Sequence, residues 1–82
     1  MNDTQELARA AEQIYRDRLK EQLELSHPNW FVAIEPDSGD YFVGATLSAA
    51  VSAARRAHPE RLSYTLRIGH ETAVHLGALS RE

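Results

Sequence analysis

The feature that most limits the fold of this chain is an apolar stripe with helical spacing near its amino terminus. Its members recur at steps of three or four residues: Leu7, Ala11, Ile14, Tyr15, Leu19 and Leu23. This spacing predicts one amphipathic helix from about residue 4 to about residue 25. The helix is expected to stop before His27-Pro28, because a residue that precedes proline avoids helical backbone angles.

The predicted helix is long for the domain to which it belongs. The chain has 82 residues, of which 43% are hydrophobic, and this is enough for one core but not for two. The helix spans roughly 33 Å, whereas five-residue strands span roughly 17–20 Å. We therefore expect part of the helix to overhang the sheet, where it either frays or contacts a second copy or another protein. The residues predicted to make this contact are Ile14, Tyr15, Arg18, Leu19 and Gln22.

Two strand signals with a polar turn between them follow the helix. Aromatic and β-branched residues dominate residues 30–35 and residues 41–44, which favours a strand in each range. The intervening Pro36-Asp37-Ser38-Gly39 has the composition of a hairpin loop, because each of these residue types fits a particular turn position. The sequence therefore predicts a β-hairpin.

A second helix and two further strands are predicted after the hairpin. Thr46 can cap a helix that runs from Leu47 to about His58. Apolar and polar residues alternate from Leu62 to Ile68, which indicates a third strand. Residues 72–76 predict a shorter fourth strand at an edge of the sheet.

These elements predict one α+β domain over residues 1–82, in the order α-β-β-α-β-β. It consists of the long helix, a ββαββ unit over about residues 30–76 and a loose tail over residues 77–82. We expect a two-layer sandwich with a small, mainly antiparallel sheet and both helices on one face of it.

Composition limits the classes of function that the chain can perform. The formal net charge is −3 and there is no cysteine, so neither a disulfide nor a thiolate metal site is available. The negative charge gives no general attraction to nucleic acid or to an anionic membrane. No apolar run approaches the roughly 18 residues of a membrane span, and a cytoplasmic location is the default expectation.

Asp37-Ser38-Gly39 is the triplet that supplies the catalytic carboxylate in aspartic proteases. A single triplet in a chain of this length requires a homodimer in which two carboxylates share a proton. The preceding Glu35-Pro36 and the following Asp40 do not resemble the apolar strand that such a site needs. The turn interpretation is therefore favoured over a homodimeric protease that uses Asp37.

The spacing of the histidines does not predict a metal site. His70 and His75 are five residues apart, whereas a helical zinc site needs histidines four apart on one face. We expect no metal, no cofactor and no catalytic residues, and we interpret His27 and His58 as structural residues at helix ends.

A basic segment offers an alternative binding function. From residue 46 to residue 68 there are four basic residues against Glu60 alone: Arg55, Arg56, Arg61 and Arg67. They are the candidate nucleic-acid contacts, although no set of aromatic residues for stacking on bases accompanies them. RNA binding is therefore the second hypothesis.

The stretch YRDRLK…HPNWFVAIEPDSGDYFVGATLSAAVSAARRAHPERLSYTLRIG resembles a group of small bacterial proteins of unknown function. They share a Trp/Phe-Val-Ala-Ile strand, a Gly-x-Thr/Ser-Leu-x-x-Ala helix and a final Arg-Ile/Val-Gly strand, and the resemblance covers roughly residues 15–76. Because their genes lie beside those of small aspartic-protease-like proteins, the resemblance implies a complex. A second resemblance, to HicB-type antitoxins, lies in Gly44-Ala45-Thr46-Leu47 and Ala50. Neither resemblance implies catalytic residues.

The sequence thus favours a small non-enzymatic protein-interaction module. Its partner is expected to be a second copy in a homodimer, or another small protein that it serves as an accessory or antitoxin-like partner. RNA binding through the four arginines and dimeric proteolysis through Asp37 remain the alternatives.

Overall fold

A computed structural model describes residues 3–70 of the chain, with side chains from residue 5 onward. The elements in chain order are helix α1 (Asp3–Ile14), a π-helical turn (Tyr15–Leu19), helix α2 (Lys20–Ser26), strands β1 (Phe31–Glu35) and β2 (Asp40–Gly44), helix α3 (Leu47–Ala57) and strand β3 (Tyr64–Arg67). We call the continuous segment of α1, the π-helical turn and α2 the first helix. Its bounds agree with the predicted helix to within one residue.

The π-helical turn keeps the apolar side chains of the first helix on one side. Ala11, Tyr15, Leu19 and Leu23 are all buried, at a constant spacing of four residues. On a regular α-helix each four-residue step rotates the side chain by about 40°, so this stripe would wind away from the sheet. The N–H of Lys20 instead donates to the carbonyl of Tyr15, five residues earlier, and this wider turn rotates less per residue. Both halves of the first helix therefore face the sheet.

The predicted overhang of the first helix is small. The half-buried Leu7 and the buried Leu23 contact the same core cluster, near the two ends of the stripe. Beyond that cluster, Leu25 is 83% exposed. The expectation was that part of the helix overhangs its own domain, and that part is confined to the ends of the helix, because the core follows the stripe from Leu7 to Leu23.

Strand β1 is the centre of a three-stranded antiparallel sheet with the order β2-β1-β3. Val32 pairs with Val43 of β2 on one side and with Leu66 of β3 on the other. Because β2 and β3 are both antiparallel to β1, they run parallel to each other, and α3 connects them. The predicted cap of α3 is confirmed, since the N–H of Ala49 donates to Thr46 Oγ1 at 3.0 Å.

The two helices lie on opposite faces of the sheet, which corrects the prediction of a two-layer sandwich with both helices on one face. The first helix packs on the face that carries Val32 and Ile34. Helix α3 packs on the other face, where Ala50 and Ala54 contact Ala33. Successive strand residues point to opposite faces, so the unbroken apolar run of β1 is the pattern of a strand that is covered on both sides.

The class α+β is confirmed, but the predicted order α-β-β-α-β-β is not matched within residues 3–70. The observed order there is helix, strand, strand, helix, strand. Strand β3 is also shorter than predicted, and Leu62 precedes it with 40% of its surface exposed. The predicted fourth strand at residues 72–76 and the tail at residues 77–82 lie outside the described residues.

Candidate functional site

The loop between β1 and β2 is organised by a buried carboxylate. Glu35 is only 1% exposed and ends β1. Its carboxylate accepts hydrogen bonds from the N–H of Asp37 and from the N–H of Ser38, both at 2.9 Å. The Glu35 carbonyl accepts from the N–H of Gly39 at 2.9 Å, and Gly39 takes a φ of 81° that glycine adopts without strain. The loop therefore closes around Glu35.

The electrostatics of this loop favour an ionised Glu35. Arg61 Nη1 lies 3.5 Å from Glu35 Oε1 and 4.0 Å from Asp37 Oδ2. Burial alone would raise the pKa of Glu35, but hydrogen bonds from Ser38 and Asp37 and the positive charge of Arg61 outweigh burial and lower the pKa. A buried anion that is bonded in this way stabilises the loop.

A cleft of about 530 Å³ lies beside this loop. It is bounded by the beginning of the first helix, the hairpin loop and the segment that leads to β3, and its lining consists of Glu6, Leu7, Ala10, Glu35, Pro36, Asp37, Glu60, Arg61 and Leu62. Among the described residues no group of three or more histidine or acidic side chains is placed to hold a metal ion. The cleft offers an acidic rim with apolar walls.

Asp37 lies at the surface, in the hairpin loop. Its side chain is 81% exposed, whereas the shared proton of an aspartic protease dyad requires two carboxylates in close contact. The turn interpretation of Asp37-Ser38-Gly39 is confirmed, since residues 36–39 form the hairpin loop. Sequence reasoning missed Glu35, although a glutamate directly before Pro-Asp-Ser-Gly is placed to accept the loop amides.

An exposed tryptophan marks the opposite end of the sheet. Residues 27–30 form a turn in which the N–H of Trp30 donates to the carbonyl of His27 at 3.2 Å, with Asn29 at a φ of 72°. Asparagine tolerates this left-handed conformation better than most residues. Trp30 remains 40% exposed. Its ring meets the His27 imidazole edge-on, with 4.9 Å between the two ring centroids.

The same turn is fixed to the end of β3 by a β-bulge. Asn29 N–H donates to the carbonyl of Ile68 at 3.0 Å, while Ile68 N–H donates to the carbonyl of Trp30 at 2.7 Å. Two residues of one strand thus oppose one residue of the other, and such bulges reorient side chains locally. We call the exposed residues around this bulge, Asn29, Trp30, Arg67 and His70, the Trp30 surface.

Polar contacts hold the Trp30 surface in place. Arg67 Nε donates to the Asn29 carbonyl at 3.2 Å, and His70 Nε2 lies 2.8 Å from Asn29 Oδ1. The Arg67 guanidinium also lies over the Phe31 ring, 5.2 Å from its centroid. These contacts restrain the backbone that carries Trp30 and Arg67.

The predicted contact residues of the first helix do not share one environment. Tyr15 and Leu19 are 8% and 4% exposed and belong to the core of this chain. Ile14 is half-buried against the same core. Arg18 and Gln22 are exposed, so they alone keep the position that the prediction requires.

Tyr15 also joins the first helix to the end of β3. Its hydroxyl donates to Glu24 Oε2 at 3.2 Å and accepts from the N–H of Gly69 at 3.3 Å. Burial raises the pKa of Tyr15, and the nearby Glu24 adds to this effect although the Gly69 bond opposes it. Tyr64 is likewise buried, and its pKa is raised by burial and by the charge of Glu12. Both phenols are neutral structural groups.

The four candidate nucleic-acid contacts do not all lie at one end of the sheet. Arg55 and Arg56 are exposed in the last turn of α3. Arg61 is paired with Glu35 at one end of the sheet, whereas Arg67 pairs with Phe31 at the other end of β1. The structure thus separates Arg67 from Arg61 by the length of the sheet.

The described histidines make contacts that belong to the fold. His58 Nε2 lies 2.8 Å from Asp40 Oδ2, and His27 Nδ1 lies 2.8 Å from Ser26 Oγ. Both histidines end helices, as the sequence predicted. His75 lies outside the described residues.

Comparison with protein-family models, with curated proteins and with solved structures gives no match for this chain. The resemblances to the small bacterial group and to HicB-type antitoxins therefore stay predictions. In the part of the chain that the structure describes, none of the helices has the length and apolar character needed to cross a bilayer.

Proposed function

We propose that this chain is a small non-enzymatic protein-interaction module that acts in the cytoplasm. Its partner in this proposal is another small protein, which the module serves as an accessory or antitoxin-like partner, or a second copy. The observation that carries the proposal is the Trp30 surface, where a large aromatic side chain is 40% exposed beside a hydrogen-bonded turn.

The chemistry of the Trp30 surface fits protein recognition. Tryptophan and arginine are among the residues that most often dominate binding energy at protein interfaces. The bulge and the Asn29 contacts restrict the backbone before any partner arrives, so binding would lose little conformational entropy. This surface replaces the first helix as the proposed contact region, because Tyr15 and Leu19 are already buried within the chain.

RNA binding is the weaker alternative. Its four arginines do not lie along one groove, and Arg61 already pairs with a buried carboxylate. Proteolysis is weaker still, because the exposed Asp37 lies in a hairpin loop. Neither alternative gains support from a specific contact.

The proposal is tested by co-purification of the tagged chain with proteins from the host that naturally encodes it. We expect Trp30→Ala to lose a stoichiometric partner that the unaltered chain retains, and Tyr41→Ala to keep it. Tyr41 is the matched control because it is 36% exposed and lies on β2. Circular dichroism should show that both variants remain folded, since neither side chain belongs to the buried core.

Two outcomes would contradict the proposal. A partner that binds Trp30→Ala as well as it binds the unaltered chain would place the interface elsewhere. Retention of short RNA in place of any protein would favour the alternative.

A further inference from the structure

The cleft beside the hairpin loop carries more negative charge than its own arginine balances. Its volume of about 530 Å³ lies within the roughly 300–1,000 Å³ of protein sites that hold ligands. Four carboxylates and one guanidinium line it, and these belong to Glu6, Glu35, Asp37, Glu60 and Arg61. The lining as a whole is therefore negative at neutral pH.

The four carboxylates differ in how far they already have partners. Glu35 is buried and accepts two loop N–H groups at 2.9 Å. Glu6 and Glu60 are exposed and form no ion pair with another residue of the described part of the chain. Asp37 has only Arg61 within ion-pair range, at 4.0 Å. We call Glu6, Asp37 and Glu60 the rim carboxylates, and the unbalanced charge of the cleft belongs to them.

The ion pairs of Arg61 with the cleft are long. Its Nη1 lies 3.5 Å from Glu35 Oε1 and 4.0 Å from Asp37 Oδ2, whereas a charge-assisted hydrogen bond between these groups is about 2.7–2.9 Å long. The Arg61 side chain is 48% exposed, although its backbone N–H donates to the His58 carbonyl at 3.1 Å. The cleft thus holds one guanidinium loosely and leaves its rim carboxylates without a close cation.

Apolar side chains form the rest of the lining. We call them the apolar wall: Leu7, Ala10, Pro36 and Leu62. Leu62 is 40% exposed, so this wall is open to contact. The methylene stem of an arginine can cover apolar surface while its charged group stays at a wet rim. An apolar wall beside carboxylates therefore suits a basic side chain that is carried by a polypeptide with apolar neighbours.

We propose that this cleft binds an arginine side chain of a partner protein, with the guanidinium at the rim carboxylates and the stem against the apolar wall. A planar guanidinium can donate two parallel N–H bonds to one carboxylate, which a lysine ammonium cannot do. The inference rests on the proposed function, because the occupant belongs to a protein partner. The cleft lies at the opposite end of the sheet from the Trp30 surface, so the two surfaces can be tested separately.

Titration of the isotope-labelled chain with the blocked tripeptide acetyl-Leu-Arg-Leu-amide, followed by NMR, tests the binding directly. We expect saturable shifts of the amide signals of Asp37, Ser38 and Leu62, and binding should weaken with added salt. The indole signal of Trp30 is the internal control and should not move. An absence of saturable shifts around the cleft, or shifts that centre on Trp30, would overturn the proposal.

Two further probes separate charge from apolar contact. Acetyl-Leu-Gln-Leu-amide keeps the apolar neighbours but lacks the charge, and it should not bind. Agmatine keeps the guanidinium but lacks the apolar neighbours, and it should bind more weakly than the arginine peptide. A glutamine peptide that binds equally well would contradict recognition of a cation. Agmatine that binds equally well would show a site for small amines instead of a partner protein.

Matched double variants locate the binding at the cleft. Glu6→Gln with Glu60→Gln should weaken binding of the arginine peptide about fivefold. Asp17→Asn with Glu21→Gln removes the same charge from exposed positions on the first helix and should leave binding unchanged. Equal weakening by both double variants would show a general attraction to an acidic protein and would rule out the cleft.

The Trp30→Ala variant keeps this inference distinct from the proposed function. It should bind the arginine peptide as well as the unaltered chain does, even where it loses the co-purified partner. Loss of peptide binding in Trp30→Ala would contradict the assignment to the cleft. Retention of the partner by Trp30→Ala would contradict the role of the Trp30 surface and leave the peptide result unchanged.

Discussion

At the scale of single residues, Glu35 organises the hairpin loop between β1 and β2. It is a carboxylate with 1% exposure, at the junction between the central strand and a tight loop. Two backbone amides of the loop depend on it for a hydrogen-bond acceptor. The neighbouring Asp37 carries the same charge but is exposed, so the two side chains make a natural comparison.

Replacement of Glu35 by glutamine should destabilise the fold markedly. The amide group offers one acceptor oxygen where the carboxylate offers two, so one loop N–H is left unpaired in a buried site. We expect a loss of about 1–3 kcal/mol in the free energy of unfolding, measured by urea denaturation. Asp37→Asn should change it by less than about 0.5 kcal/mol. Equal effects of the two substitutions would contradict the assigned role of Glu35.

Stability should also fall on acidification, because the pKa of Glu35 is lowered in the folded state. The ionised form therefore stabilises the fold at neutral pH. That contribution is lost as the pH falls below the ordinary glutamate pKa of about 4.3 and through the lower folded value. Urea midpoints from pH 7 to pH 2.5 should decline less steeply for Glu35→Gln than for the unaltered chain. Asp37→Asn should retain the original slope.

At the scale of elements, the π-helical turn keeps the apolar stripe of the first helix directed at the sheet. Leu23 follows Leu7 by sixteen positions, and a regular α-helix would leave these two ends of the stripe about 160° apart. One residue fewer between Leu7 and Leu23 would reduce this angle on a regular helix to about 60°. One residue more between Leu7 and Leu23 would require a second π-helical turn to keep both side chains on the side of the sheet.

Deletion and insertion at Asp17 should therefore have unequal effects. Asp17 is exposed within the π-helical turn, so its removal should convert the turn to α-helix and cost at most about 1 kcal/mol. Insertion of an alanine after Asp17 should turn half of the stripe away from the sheet, and the loss of buried leucine contacts should exceed about 3 kcal/mol. Urea denaturation of the two variants measures this difference. Similar losses would show that the turn does not adjust the register.

At the scale of the whole molecule, the two ends of the sheet present different surfaces. The loop end carries the Glu35 carboxylate and the acidic cleft. The other end carries the Trp30 surface, and Arg67 lies there instead of with Arg61. The separation of the arginines makes the molecule a poor match for an extended polyanion.

Nucleic-acid binding should accordingly be weak and unspecific. Fluorescence anisotropy with a short single-stranded RNA should show no saturable binding near physiological salt. Substitution of both Arg55 and Arg56 by glutamate should change nothing in that assay. A salt-dependent complex that this double substitution abolishes would instead support the RNA hypothesis.

The sequence determined the local elements of this protein. Helical spacing, proline positions and turn composition predicted the first helix, the hairpin and the cap of α3, because these depend on residues that are close together in the chain. The role of Pro36-Asp37-Ser38-Gly39 as a turn, and the positions of His27 and His58 at helix ends, followed for the same reason.

Only the tertiary structure decided which faces are covered and which side chains remain free. Helices on opposite faces, the π-helical turn and the burial of Tyr15 and Leu19 depend on packing between distant segments. The same is true of Glu35, whose neighbour Arg61 is 26 residues away in the chain, and of Trp30, which a bulge with β3 holds at the surface. Burial is a property of the assembled layers, and no periodicity within one segment specifies what lies across from it.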